Sequence, residues 1–271
     1  MDQKELKKFI ETVRPFTPKR LYKYRSMKSE GVEDIFTKMK IFASDSTVFD
    51  DPFESRPRLT GVESSLKKEK HLKDLVNIKF PHATKKEKKK LMKGKKPLLT
   101  DQTRLKNTYK EFIKTIGVYC LSEINDNLIM WSLYADSHRG FCLEFDSSIE
   151  NSLFWEAFKV IYSSEYPTVN MMEIGINAET SQKVLLTKFI GWENQKEWRI
   201  LKPKGQGGPK HYCFSPSLLT GVVFGALISE DDKKTILKWV GNFPTEILTY
   251  QAKLNSKKYQ VDIVPCIESV R

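Results

Sequence analysis

The stretch that decides the fold is residues 191–203, which read G-W-E-N-Q-K-E-W-R-I-L-K-P. Its second half ends in W-R-I-L, which is typical of a buried β-strand. Because alternate side chains of a strand point to the same face, Gln195, Glu197 and Arg199 are predicted to share one face. A carboxylate on a buried strand costs free energy unless it is paired or used in chemistry. Glu197 is therefore either in an ion pair, with Arg199 or another basic residue, or a catalytic group.

Alternating and helical hydrophobic patterns continue on both sides of this stretch. The chain opens with a helix, a strand, a helix and a strand, at 4–13, 21–25, 29–39 and 40–44. Further strands are predicted at 116–123, 139–146, 158–162, 195–201, 218–227, 246–253 and 259–264, and further helices at 126–134, 178–189 and 231–240. In the helix at 126–134, Asn125 or Asp126 is the expected cap. The pattern predicts a strand-rich α+β fold in a single domain, residues 1–271.

The formal charge of +12 is concentrated in one segment of the chain. Between Lys67 and Lys96 there are thirteen lysines and three acidic residues, so this segment alone carries a net charge of +10. We interpret residues 62–115 as a lysine-rich helical insertion within the domain. Its lysines form either a solvated surface or an electrostatic docking surface for nucleic acid or an acidic macromolecule. Phe80 is the only aromatic residue between Lys67 and Lys96, which leaves little surface for stacking on bases.

The residue types that bind metals are scattered along the chain. The four cysteines lie in apolar, strand-like contexts, and we expect them to be buried hydrophobic residues rather than ligands or a disulfide framework. The four histidines show no zinc-binding spacing. Asp50, Asp51 and Glu54 cluster negative charge, but turn-forming and capping roles are favoured because no further oxygen ligands accompany them. No bound metal is therefore expected.

The N-terminal stretch M-D-Q-K-E-L-K-K-F-I lacks the apolar region of a signal peptide. No apolar run in the sequence approaches the length of a transmembrane helix. We therefore expect a cytoplasmic protein that does not contact a membrane. The sequence does not predict an oligomeric state.

Three stretches resemble a bacterial family of unknown function, DUF2971. They are V-F-D-D-P-F-E (48–54), L-I-M-W-S-L-Y-A-D-S-H-R-G-F-C-L-E-F (128–145) and W-E-N-Q-K-E-W-R-I (192–200). The family typically shows F-N-D-P-F-E, M-W-S-H-Y-A and an E-x-E-W-R-I-like stretch. This chain departs from that pattern at three positions, where Asp50 replaces Asn, Leu133 replaces His and Gln195 replaces Glu. The resemblance spans roughly residues 21–225 and implies no activity by itself.

A more distant resemblance is to the ADP-ribosyltransferase fold with its mixed sheets. The strand, helix and strand over 21–44, the strand G-V-Y-C-L-S-E and its helix, and the strand Q-K-E-W-R-I follow the order of the elements that hold NAD there. The resemblance implies that Glu197 is the catalytic glutamate and that Gln195 stands two residues before it. It also implies NAD contacts from three positions: Arg25 or Tyr24 in the first strand, Tyr119 or Ser122 in the second, and the stacking aromatic Tyr134. Gln195 and Tyr119 are candidate catalytic residues beside Glu197.

These residue types suit the cleavage of the bond between nicotinamide and ribose. That reaction develops positive charge on the sugar, which a nearby carboxylate such as Glu197 stabilises. Aromatic and cationic side chains position the dinucleotide for attack at the anomeric carbon. NAD would be the substrate, and the absence of G-x-G-x-x-G after a strand argues against a Rossmann dehydrogenase.

Two functional hypotheses follow from the sequence. The first is an NAD-dependent, ADP-ribosyltransferase-like enzyme, a bacterial toxin or phage-defence effector that acts on a macromolecular target. The second is a non-catalytic binding module of a defence or stress system that works through the lysines between Lys67 and Lys96. In the second case Tyr119 and Tyr134 are core aromatics, and Arg25 and Glu197 form an ion pair.

Overall fold

The computed structural model describes residues 18–49, 51–60, 73–74, 76–77, 80–95, 102–170 and 183–266. The predicted helix at 4–13, Asp50 and the start of the lysine-rich segment lie outside these ranges. The chain divides into two compact units. The first unit contains residues 1–45, 116–160 and 191–271, and the second contains 46–115 and 161–190. The predicted domain limits, one domain with an insertion at 62–115, stay a prediction.

The first unit contains ten strands and three α-helices within the described residues. The strands are β1 (Arg20–Arg25), β2 (Lys40–Asp45), β4 (Gly117–Ser122), β5 (Phe141–Asp146), β6 (Phe158–Lys159), β10 (Glu197–Lys202), β11 (Lys210–Cys213), β12 (Leu219–Phe224), β13 (Leu248–Leu254) and β14 (Val261–Pro265). The helices are α1 (Val32–Thr37), α4 (Leu128–Tyr134) and α5 (Glu230–Gly241). The predicted strand-rich α+β class is confirmed.

The ten strands form one mixed sheet, in which β12 and β13 are parallel and the other pairs are antiparallel. Strand β10 pairs with β4 along its whole length, from Glu197 opposite Ser122 to Lys202 opposite Gly117. The other edge of β4 is shared, because β1 pairs with it at Ser122 and β2 pairs with it at Val118 and Gly117. Strands β1 and β2 therefore separate beside the middle of β4.

Each face of this sheet has its own core. On the α1 face, Phe141, Leu143 and Phe145 of β5 pack in one cluster with side chains of α1 and α5. On the α4 face, Cys142 of β5 packs in a second cluster with Trp131 of α4. Trp131 and Phe141 are both fully buried. The alternation of the two clusters along β5 identifies the face of any residue on a paired strand.

The second unit combines helices with two short strand pairs. Strands β3 (Arg58–Thr60) and β8 (Thr168–Asn170) are parallel, as are β7 (Ile161–Ser163) and β9 (Thr187–Phe189). Its helices include α2 (Lys85–Lys95) and α3 (Gln102–Ile113). Thr84 and Glu87 exchange bonds at the start of α2 in the manner of a capping box, since the amide of Thr84 donates to Oε2 of Glu87 at 2.8 Å.

Several local predictions are wrong in detail. Residues Thr187–Phe189 form β9 rather than the end of a helix, because they pair with β7. Residues Ile190–Gln195 form a 3-10 helix, so Gln195 precedes β10 instead of lying in it. The break follows from Lys196, whose φ of 42° interrupts the extended backbone. Asn127, rather than Asn125 or Asp126, caps α4 and accepts from the amide of Met130 at 2.9 Å.

The carboxylates of the 48–55 loop are turn formers where the structure describes them. Oδ1 of Asp51 accepts from the amide of Phe53 at 2.8 Å, and Oε1 of Glu54 accepts from the amide of Ser55 at 3.2 Å. Such bonds to nearby amides are the usual role of Asp in tight turns. The expected turn-forming role is confirmed for Asp51.

Replacing Gly225 by Ala is expected to lower the free energy of unfolding by about 2–3 kcal/mol. A Cβ at this position would lie 2.2 Å from the carbonyl oxygen of His138 and 2.6 Å from that of Gly140, so backbone would have to move. Gly205→Ala is the control, since a Cβ there has nothing within 4 Å. Urea denaturation of both variants checks the expectation, and equal midpoints would contradict the close approach.

Candidate active site

Glu197, the first residue of β10, forms a buried ion pair with Arg199. Nε of Arg199 donates to Oε1 of Glu197 at 2.7 Å, and Nη2 donates to Oε2 at 3.2 Å. The side chains are 5% and 1% exposed, so both are removed from water. The prediction that the two share a face is confirmed, and so is the ion-pair alternative. Two parallel bonds from a guanidinium fix the carboxylate in position as well as neutralising it.

Strand register places Glu197 in a row of polar residues across the α4 face. Ser122 of β4 lies opposite Glu197, and Tyr22 of β1 lies opposite Ser122. The next member is Glu144 of β5, whose Oε2 accepts from the hydroxyl of Tyr22 at 3.2 Å. Burial and the charge of Glu144 raise the pKa of Tyr22, so this hydroxyl remains protonated. The row therefore has a carboxylate near each end, with hydroxyl groups between them.

Gln195 is fixed through both its backbone and its side chain. The hydroxyl of Ser122 donates to the carbonyl of Gln195 at 2.7 Å, and Nε2 of Gln195 donates to the hydroxyl of Tyr134 at 3.0 Å. Tyr134 is 41% exposed, whereas Gln195 is 5% exposed. The structure therefore brings together four predicted site residues, namely Glu197, Gln195, Ser122 and Tyr134.

Tyr24 lies on the same face and anchors the segment before α4. Its hydroxyl donates to the carbonyl of Ile124 at 3.0 Å and accepts from the amide of Asn127 at 3.3 Å. Its ring meets Trp131 edge-on, with centroids 5.2 Å apart. Burial raises the pKa of Tyr24, which keeps the hydroxyl a donor. These contacts give Tyr24 a structural role whether or not it also touches a ligand.

Arg25 and Tyr119 lie on the opposite face of the sheet. Tyr22 and Ser122 are paired and lie on the α4 face. Arg25 follows Tyr22 by three residues and Tyr119 precedes Ser122 by three, and side chains an odd number of residues apart on a strand point to opposite faces. Tyr119 accordingly packs in the core of the α1 face. A site built around Glu197 on the α4 face therefore does not include these two side chains.

Three residues next to this site had no role predicted for them: Cys120, Asn127 and Lys23, whose side chain belongs to the opposite face. Lys23 donates from Nζ to the carbonyl of Cys120 at 2.7 Å. Cys120 lies opposite Arg199 in the strand register. Asn127 donates from Nδ2 to the carbonyl of Asn194 at 2.6 Å, which joins the start of α4 to the turn before β10. The pattern L-Y-K-Y-R places a lysine in the middle of a predicted strand, and this unusual position could have indicated a special role for Lys23.

The cysteines differ in environment. Burial, followed by the charge of Glu197, raises the pKa of the Cys120 thiol to about 12. Burial also raises the pKa of the Cys142 thiol well above its usual range. Cys142 is buried as expected, whereas Cys213 is exposed, which corrects the prediction that all four are buried. All four are free of disulfides.

Across the parts of the chain that the structure describes, no group of three or more His, Cys, Asp or Glu side chains is placed to hold a metal ion. No helix in the same ranges is long and apolar enough to cross a membrane. A shallow concavity of about 400 Å³ lies beside β13 and the start of α5, and its lining includes none of the predicted site residues.

Comparison with protein families finds a match in the middle of the chain. The model of the family "Protein of unknown function (DUF2971)" matches residues 130–200. The resemblance to DUF2971 is confirmed there. The matched segment includes most of α4, all of β5 and the Glu197–Arg199 pair. It covers less than half of the chain, and the family's description assigns no activity.

No curated protein and no solved structure matches the chain. The similarity to ADP-ribosyltransferases is therefore carried by the order of elements and residue types alone, and it stays a prediction. The same holds for the role of NAD and for the catalytic and NAD-binding roles of the predicted residues.

Arg199→Met is expected to lower the free energy of unfolding by about 3–5 kcal/mol, because it leaves the Glu197 carboxylate buried without its partner. A double replacement by Met at Glu197 and Arg199 is expected to be much less harmful, since no charge then remains buried. Lys28→Met is the surface control. Lys28 pairs with Asp136 at 3.0 Å but is 81% exposed, so the loss is expected to stay below about 1 kcal/mol. Additive effects of the single substitutions at Glu197 and Arg199 in urea denaturation would contradict this coupling.

Cys120 is expected to resist alkylation in the native protein, because a thiol with a pKa of about 12 is almost entirely protonated at pH 8. Iodoacetamide followed by peptide mass spectrometry should modify the exposed Cys213 first, and Cys120 and Cys142 only after denaturation. Because the pKa of Cys120 is higher in the folded protein than its ordinary value of 9.0, the free energy of unfolding is expected to fall as pH rises from 9.0 towards 12. Equal labelling rates of Cys120 and Cys213 in folded protein would overturn the assignment.

Proposed function

We propose that this protein is an NAD-consuming, ADP-ribosyltransferase-like enzyme in which Glu197 is the catalytic carboxylate. The observation that carries the proposal is the position of Glu197 at the start of β10, directly opposite Ser122. Gln195 stands two residues earlier and is bonded to both Ser122 and Tyr134. A serine and an exposed tyrosine are thus bonded to Gln195 just before β10, and the Glu197 carboxylate follows at the start of that strand.

The ion pair fits this chemistry because it holds the Glu197 carboxylate in a fixed orientation where water is scarce. Positive charge that develops on a ribose is stabilised more strongly by a carboxylate in a buried site than by one in water. Arg199 fixes the orientation of the Glu197 carboxylate through two bonds, so little reorganisation is needed during the reaction. Arg199 is therefore a positioning residue in this proposal, and Glu197 is the group that meets the sugar.

Gln195 and Tyr134 would hold the nicotinamide riboside portion of the substrate. The bond from Nε2 of Gln195 to the Tyr134 hydroxyl orients the tyrosine ring, which remains 41% exposed. An exposed aromatic ring of fixed orientation is suited to stacking on a flat heterocycle. Ser122 would act indirectly, because its hydroxyl donates to the Gln195 carbonyl and so supports the turn before β10.

The second candidate function is nucleic-acid or acidic-protein binding through α2. The 85–95 helix contains seven lysines and one glutamate, and Lys85, Lys86, Lys89 and Lys90 are exposed. Such a surface attracts polyanions at low salt whatever their sequence. It is compatible with the first proposal, since a transferase needs a way to hold a macromolecular acceptor. A toxin or defence role for either function is also part of the proposal.

The first test is release of nicotinamide from NAD by the purified protein, alone and with cellular RNA, DNA or protein as acceptor. Glu197→Gln is expected to reduce the rate about a hundredfold or more, because it removes the charge that faces the transition state. Glu193→Gln is the matched control, since Glu193 is exposed in the same segment and should leave the rate unchanged. Circular dichroism establishes that both variants are folded.

Folded protein that releases no nicotinamide with any acceptor would overturn the enzyme proposal. Full activity in folded Glu197→Gln would remove Glu197 from the mechanism. If turnover is absent but nucleic acid binds in a salt-dependent way, and Lys-to-Gln changes in α2 abolish that binding, the second candidate function is supported instead.

A further inference from the structure

We propose that Lys23, Arg25 and Tyr119 form a binding site for a phosphate group on the α1 face of the sheet, where β1 and β2 separate beside β4. The proposal does not rest on NAD chemistry, because Glu197 and its neighbours lie on the opposite face. It is carried by the arrangement of three hydrogen-bond donors, two of which have buried atoms without a partner.

The three residues converge because of strand register. Lys23 and Arg25 are alternate residues of β1 and therefore share a face. Lys23 Nζ lies 4.8 Å from the centroid of the Tyr119 ring in β4, which places the lysine over that ring. Arg25 and Tyr119 lie three residues from the paired Tyr22 and Ser122, and because the strands are antiparallel both lie in the same direction from that pair. Beside the larger effect of burial, the charge of Arg25 accordingly lowers the pKa of both Tyr119 and Lys23. The separation of β1 from β2 leaves room at the middle of β4 for these long side chains.

Two atoms of the cluster are buried without a hydrogen-bond partner in the described part of the chain. They are the hydroxyl oxygen of Tyr119 and Nε of Arg25. Tyr119 as a residue is only 5% exposed, so water does not readily satisfy its hydroxyl. Buried polar atoms are nearly always bonded in native proteins, and each exception therefore needs an explanation. A ligand that accepts hydrogen bonds from both atoms would explain why neither has a partner in the protein.

The charge of the cluster points to an anion. Lys23 and Arg25 form no ion pair within the described ranges, and their resolved bonds go to backbone carbonyls, of Cys120 at 2.7 Å and Glu30 at 2.8 Å. Burial lowers the pKa of Lys23, and the smaller opposing effects of Cys120 and Glu197 do not cancel it. A bound anion would stabilise the protonated form of Lys23 and would accept from the Tyr119 hydroxyl and from Nε of Arg25, to which no carboxylate is bonded within the described ranges. A phosphate oxygen group has both the charge and several acceptor positions.

The test is the change in melting temperature of the intact protein with inorganic phosphate, compared with sodium chloride at equal ionic strength. Wild type is expected to be stabilised by phosphate in a saturable way, because a ligand that binds only the folded state raises the melting temperature. Tyr119→Phe and Lys23→Met are each expected to weaken phosphate binding about tenfold or more, as for other hydrogen bonds to charged groups. In phosphate-free buffer, Tyr119→Phe should be as stable as wild type or more so, since the hydroxyl it removes has no partner.

Two controls separate this site from general effects. Tyr22→Phe removes a hydroxyl that is bonded to Glu144 on the other face, so it should lower stability yet keep the phosphate response. Lys253→Met removes an exposed lysine of β13 and should change neither. A parallel titration with AMP identifies the source of the phosphate. Tighter binding of AMP than of phosphate indicates a nucleotide, and equal or weaker binding indicates a free phosphate.

The proposal is overturned if wild type responds to phosphate and AMP no more than to sodium chloride. It is also overturned if Tyr119→Phe retains the full phosphate response, or if it destabilises the phosphate-free protein as much as Tyr22→Phe does. These outcomes are independent of nicotinamide release, so failure here leaves the NAD proposal standing and the reverse is equally true.

Discussion

Strand β4 has two edges, but three strands pair with it, and this constraint organises the first unit. Strand β10 takes one edge completely, so β1 and β2 must share the other. Sharing forces β1 and β2 apart beside the middle of β4. The carbonyl of Cys120, in that middle stretch, accepts from the side chain of Lys23. Backbone groups in a sheet need partners, and here a lysine supplies one.

The same constraint separates two polar groups that were predicted from the sequence to form one site. On the α4 face, the pairing of β4 with β10 joins Ser122 to Glu197 and its bound Arg199. On the α1 face, the separation of β1 from β2 accommodates Lys23, Arg25 and Tyr119. The α4 face beside β4 thus holds a satisfied ion pair, on β10, which keeps the Glu197 carboxylate in a fixed orientation. The α1 face beside β4 holds two donors, the Tyr119 hydroxyl and Nε of Arg25, without a hydrogen-bond partner among the described residues.

The local elements of the first unit were largely predictable from hydrophobic pattern. The alternation in R-G-F-C-L-E-F-D predicted β5 to within a few residues of its observed bounds, and W-R-I-L predicted most of β10. The turn before β10 was not predictable, because nothing about Lys196 as a residue type indicates a positive φ. Strand β9 was missed because T-K-F becomes a strand only through pairing with the distant β7. Tertiary contacts overrode local preference at both places.

The candidate site was predictable in residue types but not in which face each residue occupies. Alternation along one strand places Glu197 with Arg199, since both belong to β10. Whether Arg25 and Tyr119 share the face of Glu197 depends on register between strands far apart in sequence, and a single sequence does not contain that register. The ion pair was open to prediction because its two members are two residues apart.

The parallel pairing of β3 with β8 has a consequence for how the second unit is made. Thr168 pairs with Arg58 although it lies 110 residues later in the chain. A ribosome adds residues one at a time, so β3 emerges and waits while β4, β5 and β6 are still being synthesised. During that interval its edge is unpaired, and an unpaired strand edge is the kind of surface that other chains join. The order of synthesis therefore leaves the edge of β3 open until residue 170 has been added, and it exposes this part of the second unit to misassembly in the nascent chain.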